Sequence, residues 1–329
     1  VSSTVSTGPV AGSVDVSAPG SGAGAAAPPA PAVTLYLPAE VWRARRDAHE
    51  TRAHARTDAH HERRLRGQKH PVEDFLFTYY PFKPGRIARW NPGAGVAVEI
   101  RDEADRAYFD RRWYRFFEAT GPSSATYAAL DLPAWHADRG TGAGFIRSLL
   151  EATLDREASF GCFGMHEWAM VYRLGPDQRR HEQVPLRLSQ EETDRVVENH
   201  RIQCSHFDAF RFFTEPARPL NTLQPTRAAM VANEQAGCLH AGMDLYKWAM
   251  KLEPTVPGEV VLDAFDLAID IRALDMEASP YDVRGWGYGV VPVETAAGKA
   301  EYMRRQKQLS VRAQAMRRRL LDCLAAAGV

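Results

Sequence analysis

The sequence is short of several features that would narrow its class at once. Four cysteines, Cys162, Cys204, Cys238 and Cys323, are too few to staple a chain of 329 residues into a disulfide framework. A reducing, cytoplasmic setting is the expectation. No run of about 18 apolar residues is present to span a bilayer, so no membrane partner is expected. The N-terminus also lacks the basic stretch and leucine-rich core of a secretory signal. Neither sign of charge is in excess: 41 Lys plus Arg balance 41 Asp plus Glu. No global field therefore draws the protein to nucleic acid, and any polyanion site has to be local. There is no CxxC pair and no repeat of fixed period. Residues 1–33 carry no aromatic and no basic side chain, too little apolar bulk to offset chain entropy, so they read as a disordered tail. Residues 34–329 read as a single domain.

What remains is a globular composition, 45% hydrophobic and 25% charged, long enough to bury a sizeable core. Apolar residues recur at three- and four-residue spacing in "GFIRSLLEATLDREAS", "EETDRVVENHRIQCSHFDAFRFF", "MDLYKWAMKLEP", "EVVLDAFDLAIDIRALDMEAS" and "KAEYMRRQKQLSVRAQAMRRRLLDCLAAA". The fold class is therefore mainly α, with a few short strands near 95–130 and at 286–294. A basic helix is expected over 42–66, closed by Gly67, and a second over 300–320. Each reads as a solvated face, with phosphate contact as the alternative. Asp263, Asp266 and Asp270, spaced by three and four, read as an acidic helix face, with divalent-cation binding as the alternative.

Four blocks mix ionisable and aromatic side chains inside segments that look buried: "HPVEDFLFTYY", "FGCFGMHEWAMVY", "ENHRIQCSHFDAFRFF" and "GCLHAGMDLYKWAMKL". A buried acid or histidine has to be paired, metal-bound or facing a cavity. Together the blocks predict one polar cavity between helices.

Three chemistries fit these residues. In the first, Cys162 with His166, His200 with Cys204 and His206, and Cys238 with His240 offer metal-ligand spacings, against which stands the ordinary packing of buried cysteine. In the second, a helix presents His200 as the axial ligand of haem with Cys204 one turn away. That HxxxC resembles the proximal helix of haem-dependent aromatic oxygenases, with "DFLFTYY" similar to their distal helix, and implies haem as a cofactor. In the third, a carboxylate supports N-glycosidic cleavage beside a stacked base. Asp244 or Glu167 would assist water, Glu73 would protonate the base or position the sugar, and Asp208 is a further candidate acid. Trp168, Tyr246 and Trp248 would stack the base. His70, Tyr79, Tyr80, His166, His200, His206, Phe210 and His240 would line the pocket. For each acid the bland alternative is an ion pair or a helix cap, such as Asp208 with Arg211 or Asp244 opening its helix.

The blocks "HPVEDFLFTYY", "HEWAMVY", "SHFDAFRFF" and "DLYKWA", with "SPYDVRGWGY", resemble a family of actinobacterial proteins labelled 3-methyladenine DNA glycosylase, from about residue 35 onward. The resemblance implies release of a damaged or modified purine, with DNA or a modified nucleoside as partner and no cofactor. It supplies no catalytic residues, because the chain lacks a helix-hairpin-helix signature followed by a catalytic Asp. The neutral charge balance favours a small nucleoside over duplex DNA.

Overall fold

A computed structural model describes residues 32–119, 125–175, 178 and 183–329. The expected disordered tail lies, but for its last two residues, outside the described residues.

The chain is mainly α with one small sheet. After strand β1 (Leu35–Leu37) comes helix α1 (Ala39–Leu65), then the short α2 (Phe75–Tyr79) and α3 (Pro84–Ile87). β2 (Val96–Ile100), α4 (Glu103–Phe109), β3 (Tyr114–Ala119) and β4 (Ala125–Leu130) complete the sheet region. The strand order is β1-β2-β4-β3, with β1 parallel to β2 and the other pairs antiparallel. Helices follow almost to the end: α5 (Leu132–Asp155), α6 (Met165–Ala169), α7 (Gln190–Glu198), α8 (Phe207–Phe210), α9 (Met230–Asn233), α10 (Leu239–Leu252), α11 (Gly258–Glu277) and α12 (Ala296–Ala326). Among the described residues no helix is long and apolar enough to cross a membrane.

Local chemistry fixes several helix starts. Asp131 caps α5 through the Ala134 amide, Ser189 and Glu192 form a capping box on α7, and Thr295 caps α12 through Gly298. Periodicity then fixes the faces. The long α12 buries Tyr302, Gln306, Leu309, Ala313, Met316, Leu320 and Leu324, a stripe at three- and four-residue spacing. Almost every residue of α10 is buried, and α5, α11 and α12 pack against it. A second, smaller core of Trp42, Trp90, Val98 and Phe109 joins the sheet to the start of α1, where the Trp42 indole donates to the Glu99 carbonyl at 2.8 Å.

Three expectations need correcting. The helix expected through 191–213 stops at Glu198, and residues 201–206 form no helix, with Ile202 in an isolated bridge to Asn221. Asn221 holds them there, its side chain accepting from the Cys204 amide at 2.8 Å and donating to its carbonyl at 2.9 Å. These bonds replace the helical ones, which three- and four-residue spacing alone could not foresee. No strand forms at 286–294, where Arg284–Trp286 is a single tight turn ended by Gly287 at φ 84°. The third concerns the phosphate alternative for the basic helices, whose solvated faces carry paired charge. Arg52 and Arg56 of α1 clasp Asp263 and Asp266, Arg312 and Arg319 of α12 clasp Asp270 and Asp263, and Arg43 holds Asp102 and Asp105. Arg63 likewise pairs with Glu73 and Asp74. The acidic face of α11 is thus zipped between two basic helices, so these cations and acids serve one another.

Candidate functional site

Helix α10 organises the site. His240, Asp244, Lys247 and Lys251 follow one another at spacings of four, three and four, so they share a face. Over eleven residues, about 16 Å of helix, that face passes from the buried core to an open cleft. Gly242 permits the close approach of α11, since a Cβ there would lie 2.9 Å from the Ile271 Cδ1.

At the inner end the His240 ring stands edge-on to His166, with centroids 4.4 Å apart, and 5.4 Å from His206. His166 and Glu167 reach this point because Phe163 and Gly164 both adopt left-handed backbone, φ 49° and 71°, turning the chain into α6. His166 Nε2 lies 2.8 Å from Asp275 Oδ1, and Arg272 Nη1 donates to Asp275 Oδ2 at 2.7 Å and Glu167 Oε1 at 2.9 Å. Burial disfavours the His166 imidazolium, but Asp275 outweighs burial and raises its pKa well above the ordinary value. Burial and the neighbouring His166 push His240 the other way, keeping it neutral. Burial also raises Glu167, against the pull of Arg272.

One turn further on, Asp244 accepts from the Tyr80 hydroxyl at 2.7 Å and faces His206 Nε2 at 3.2 Å. The Lys247 ammonium is bonded to the same carboxylate and reaches Asp208 Oδ2 at 3.2 Å. Burial would raise the Asp244 carboxyl, yet Lys247 and His206 together outweigh it and hold the group well below the usual range. Burial likewise works against the Lys247 charge, and Asp244 and Asp208 more than restore it. Glu234, raised by burial, lies 3.6 Å from His206 Nε2.

The outer end opens into a cleft of about 1070 Å³. Its walls carry five cations, Arg139, Arg211, Arg227, Lys247 and Lys251, against a single acid, Asp208. Among the described residues Asp208 pairs with Arg211 and Lys247, while Arg139, Arg227 and Lys251 have no carboxylate within ion-pair distance. Trp135, Phe145, Phe207 and Trp248 supply apolar wall, with Phe145 42% exposed and edge-on to Trp248 at 6.2 Å. Lys247 and Lys251 lie 4.3 and 5.3 Å from the Trp248 ring. A concave site of this kind suits an anion attached to an aromatic body.

Among the described residues two groups have a metal-binding arrangement of donor atoms: His166, His240 and Asp275, and His206, Glu234 and Asp244, each with its ligand atoms within 4.8 Å of one another.

The four sequence blocks do converge, but as a packed polar core with small gaps where one cavity was expected. His166, Glu167, His206, His240, Asp244 and Tyr80 meet there, and Tyr79 and Asp208 line a small gap of about 30 Å³ beside His240. Cys162, Cys204 and Cys238 surround a second gap beside the same histidines, with burial raising the Cys204 and Cys238 thiols.

Other expected residues stand elsewhere. Trp168 and Tyr246 are wholly buried, the first donating to the Ala278 carbonyl at 2.9 Å and the second packed on Phe82 and Phe265, so of the three stacking aromatics only Trp248 lines the cleft. Phe210 packs on Phe213 in the core. Glu73 is a surface partner of Arg63, and the His70 ring accepts from the Val72 and Glu73 amides; neither lines the cleft. Asp244 sits in the middle of its helix and is no cap. His200 follows the end of α7, its Nδ1 2.6 Å from the Val196 carbonyl oxygen. His200 and Cys204 therefore share no helical face, which removes the geometric premise for His200 as a haem ligand.

Sequence reasoning passed over Arg139, Phe145, Arg227, Lys247 and Lys251. Only Lys247 left a signal, standing three residues after Asp244 beside Trp248 in "DLYKWA". No protein-family model matches the chain, and neither a curated protein nor a solved structure matches it.

Proposed function

We propose that the protein is an N-glycosidic hydrolase that releases a modified purine from a phosphate-bearing nucleoside, whether within DNA or as a nucleotide. The observation that carries this reading is the cleft: five cations and exposed aromatic surface around one carboxylate, in a protein of zero net charge. Arg139, Arg227 and Lys251 are the groups for phosphate, and the exposed Phe145 is the face for the base, with Trp248 buried behind it.

Asp208 is the acid placed to act. Its side chain is 23% exposed at the cleft wall, whereas that of Asp244 is 2% exposed and lies behind Lys247. As the bond from C1′ to the base nitrogen breaks, the electron pair leaves with the base and positive charge grows on the sugar, where the Asp208 carboxylate stabilises it. Water adds to C1′ and gives up its proton to that carboxylate. Lys247, held as an ammonium, is a donor for the departing base and has no free electron pair with which to attack the sugar. Asp244, Tyr80 and His206 fix its position.

The test is detection of free base by mass spectrometry after incubation with alkylated DNA and with modified purine nucleotides and nucleosides. Base release that is faster from phosphate-bearing substrates, and lost in Asp208→Asn, is the expected result. Absence of free base from all three substrate classes would remove the hydrolase reading.

A further inference from the structure

The inner end of α10 carries chemistry that this hydrolysis does not use. His166 from α6, His240 from α10 and Asp275 from α11 converge from three helices, all buried, with ligand atoms within 4.8 Å of one another. His166 Nε2 and Asp275 Oδ1 are 2.8 Å apart. Two ligands at right angles on bonds of about 2.1 Å would stand about 3 Å apart, so one ion joins this pair with little movement.

His240 is the second, independent observation. It is 7% exposed, yet among the described residues its ring nitrogens make no hydrogen bond; its ring neighbours are His166 and His206. The ring lines both small gaps beside it, where a metal would engage a nitrogen that no described residue bonds. Arg272, donating to the far oxygen of Asp275, orients that carboxylate in the manner of an outer-layer partner. His240 also lines the gap of about 30 Å³ shared with Glu167, Asp208, Tyr79 and Arg272, enough for one water at an open coordination position.

The neighbouring group of His206, Glu234 and Asp244 has the same kinds of donor but already holds a cation, because the Lys247 ammonium is bonded to Asp244.

We propose that His166, His240 and Asp275 bind one divalent first-row transition metal, iron or zinc, through two imidazoles and one carboxylate with an open position facing the small gap. The site does not rest on the hydrolase reading, and its test needs no substrate.

The full chain, produced in media supplied separately with iron, zinc, manganese and cobalt, is to be analysed for bound metal. About one equivalent of iron or zinc per chain is expected, and cobalt loading should give a visible ligand-field band. His240→Ala, which breaks no hydrogen bond, should keep its thermal melting transition while losing at least tenfold in metal retained and the cobalt band. Chelation should lower the melting temperature of the loaded protein and leave that of His240→Ala unchanged. Protein that takes up none of the four metals would overturn the proposal. So would a metal kept by folded His240→Ala, or one lost in Glu234→Gln but kept in His240→Ala, which would move the ion to the neighbouring group.

Discussion

Lys247 bonds two carboxylates of different surroundings, Asp244 in the core and Asp208 at the cleft wall, and so couples the interior of the protein to a strongly cationic cleft. Removing Asp208 leaves Lys247 its deeper partner. Asp208→Asn should therefore keep the fold while lowering base release by about a hundredfold or more. Melting temperature and initial rate, measured on the same preparation, check this; an unchanged rate would take Asp208 out of the chemistry.

Asp244 behaves differently because it is wholly buried. Asp244→Asn leaves the largely buried Lys247 ammonium only the cleft-wall Asp208 and should destabilise the protein by about 3 kcal/mol, the low end for a broken buried pair. Adding Lys247→Met should recover part of that loss, since the under-compensated charge is then gone. Denaturant titration of the two single variants and the double variant gives the coupling. The sign with pH follows from the depressed carboxyl. Its contribution is present above the unfolded value of 3.8 and fades as pH falls through the folded one, so the single variant should lose least, relative to the parent, in strong acid.

Glu253 has the opposite sign. Buried against Arg86 at 2.7 Å, it is pushed up to about 7, with burial outweighing the arginine. The protonated form is favoured in the fold, so this stabilisation is complete below about pH 4.5 and is lost as pH rises through about 7. Glu253→Gln should flatten the stability profile across that window, as read by melting temperature from pH 4.5 to 8.

The cleft cations that have no carboxylate partner among the described residues predict an effect on binding with none on folding. Arg227→Ala and Lys251→Ala should each raise KM for a phosphate-bearing substrate about tenfold, leave kcat and melting temperature unchanged, and reduce the salt dependence of binding. Lys251 is held below its usual pKa by burial and by the like charge of Lys247. A rate profile against salt that matches the parent would contradict this.

Phe145 offers a test of stacking. Exposed at the cleft mouth and edge-on to Trp248, it should cost little stability when replaced by alanine. Loss of a base-stacking face is worth about 1 to 3 kcal/mol in affinity, which equilibrium binding of a nucleotide ligand would register.

Much of the architecture was legible in the chain. Three- and four-residue spacing marked the last helices, and Gly67 marked the end of the first, because a helix buries one face and ends where a residue tolerates left-handed backbone. The mixed polar blocks also announced their meeting, since buried His166, Glu167, His206, His240 and Asp244 need partners. What the spacing could not convey was which partner each would find. Asp275 and Arg272 drew no notice inside "EVVLDAFDLAIDIRALDMEAS", yet Asp275 is the mate of His166 and Arg272 holds two buried carboxylates. The break at 199–206 depends on Asn221, and the charge of the cleft on Arg139, Arg227 and Lys251, residues distant in sequence and unremarkable singly. The sequence by itself determined the helices and the need for a buried polar centre, because periodicity and desolvation act locally and residue by residue. Tertiary structure alone decided that cations of the basic helices pair with the acids of α11 and that Arg139, Arg227 and Lys251 meet at one cleft, because ion pairing depends on which surfaces the packing brings together.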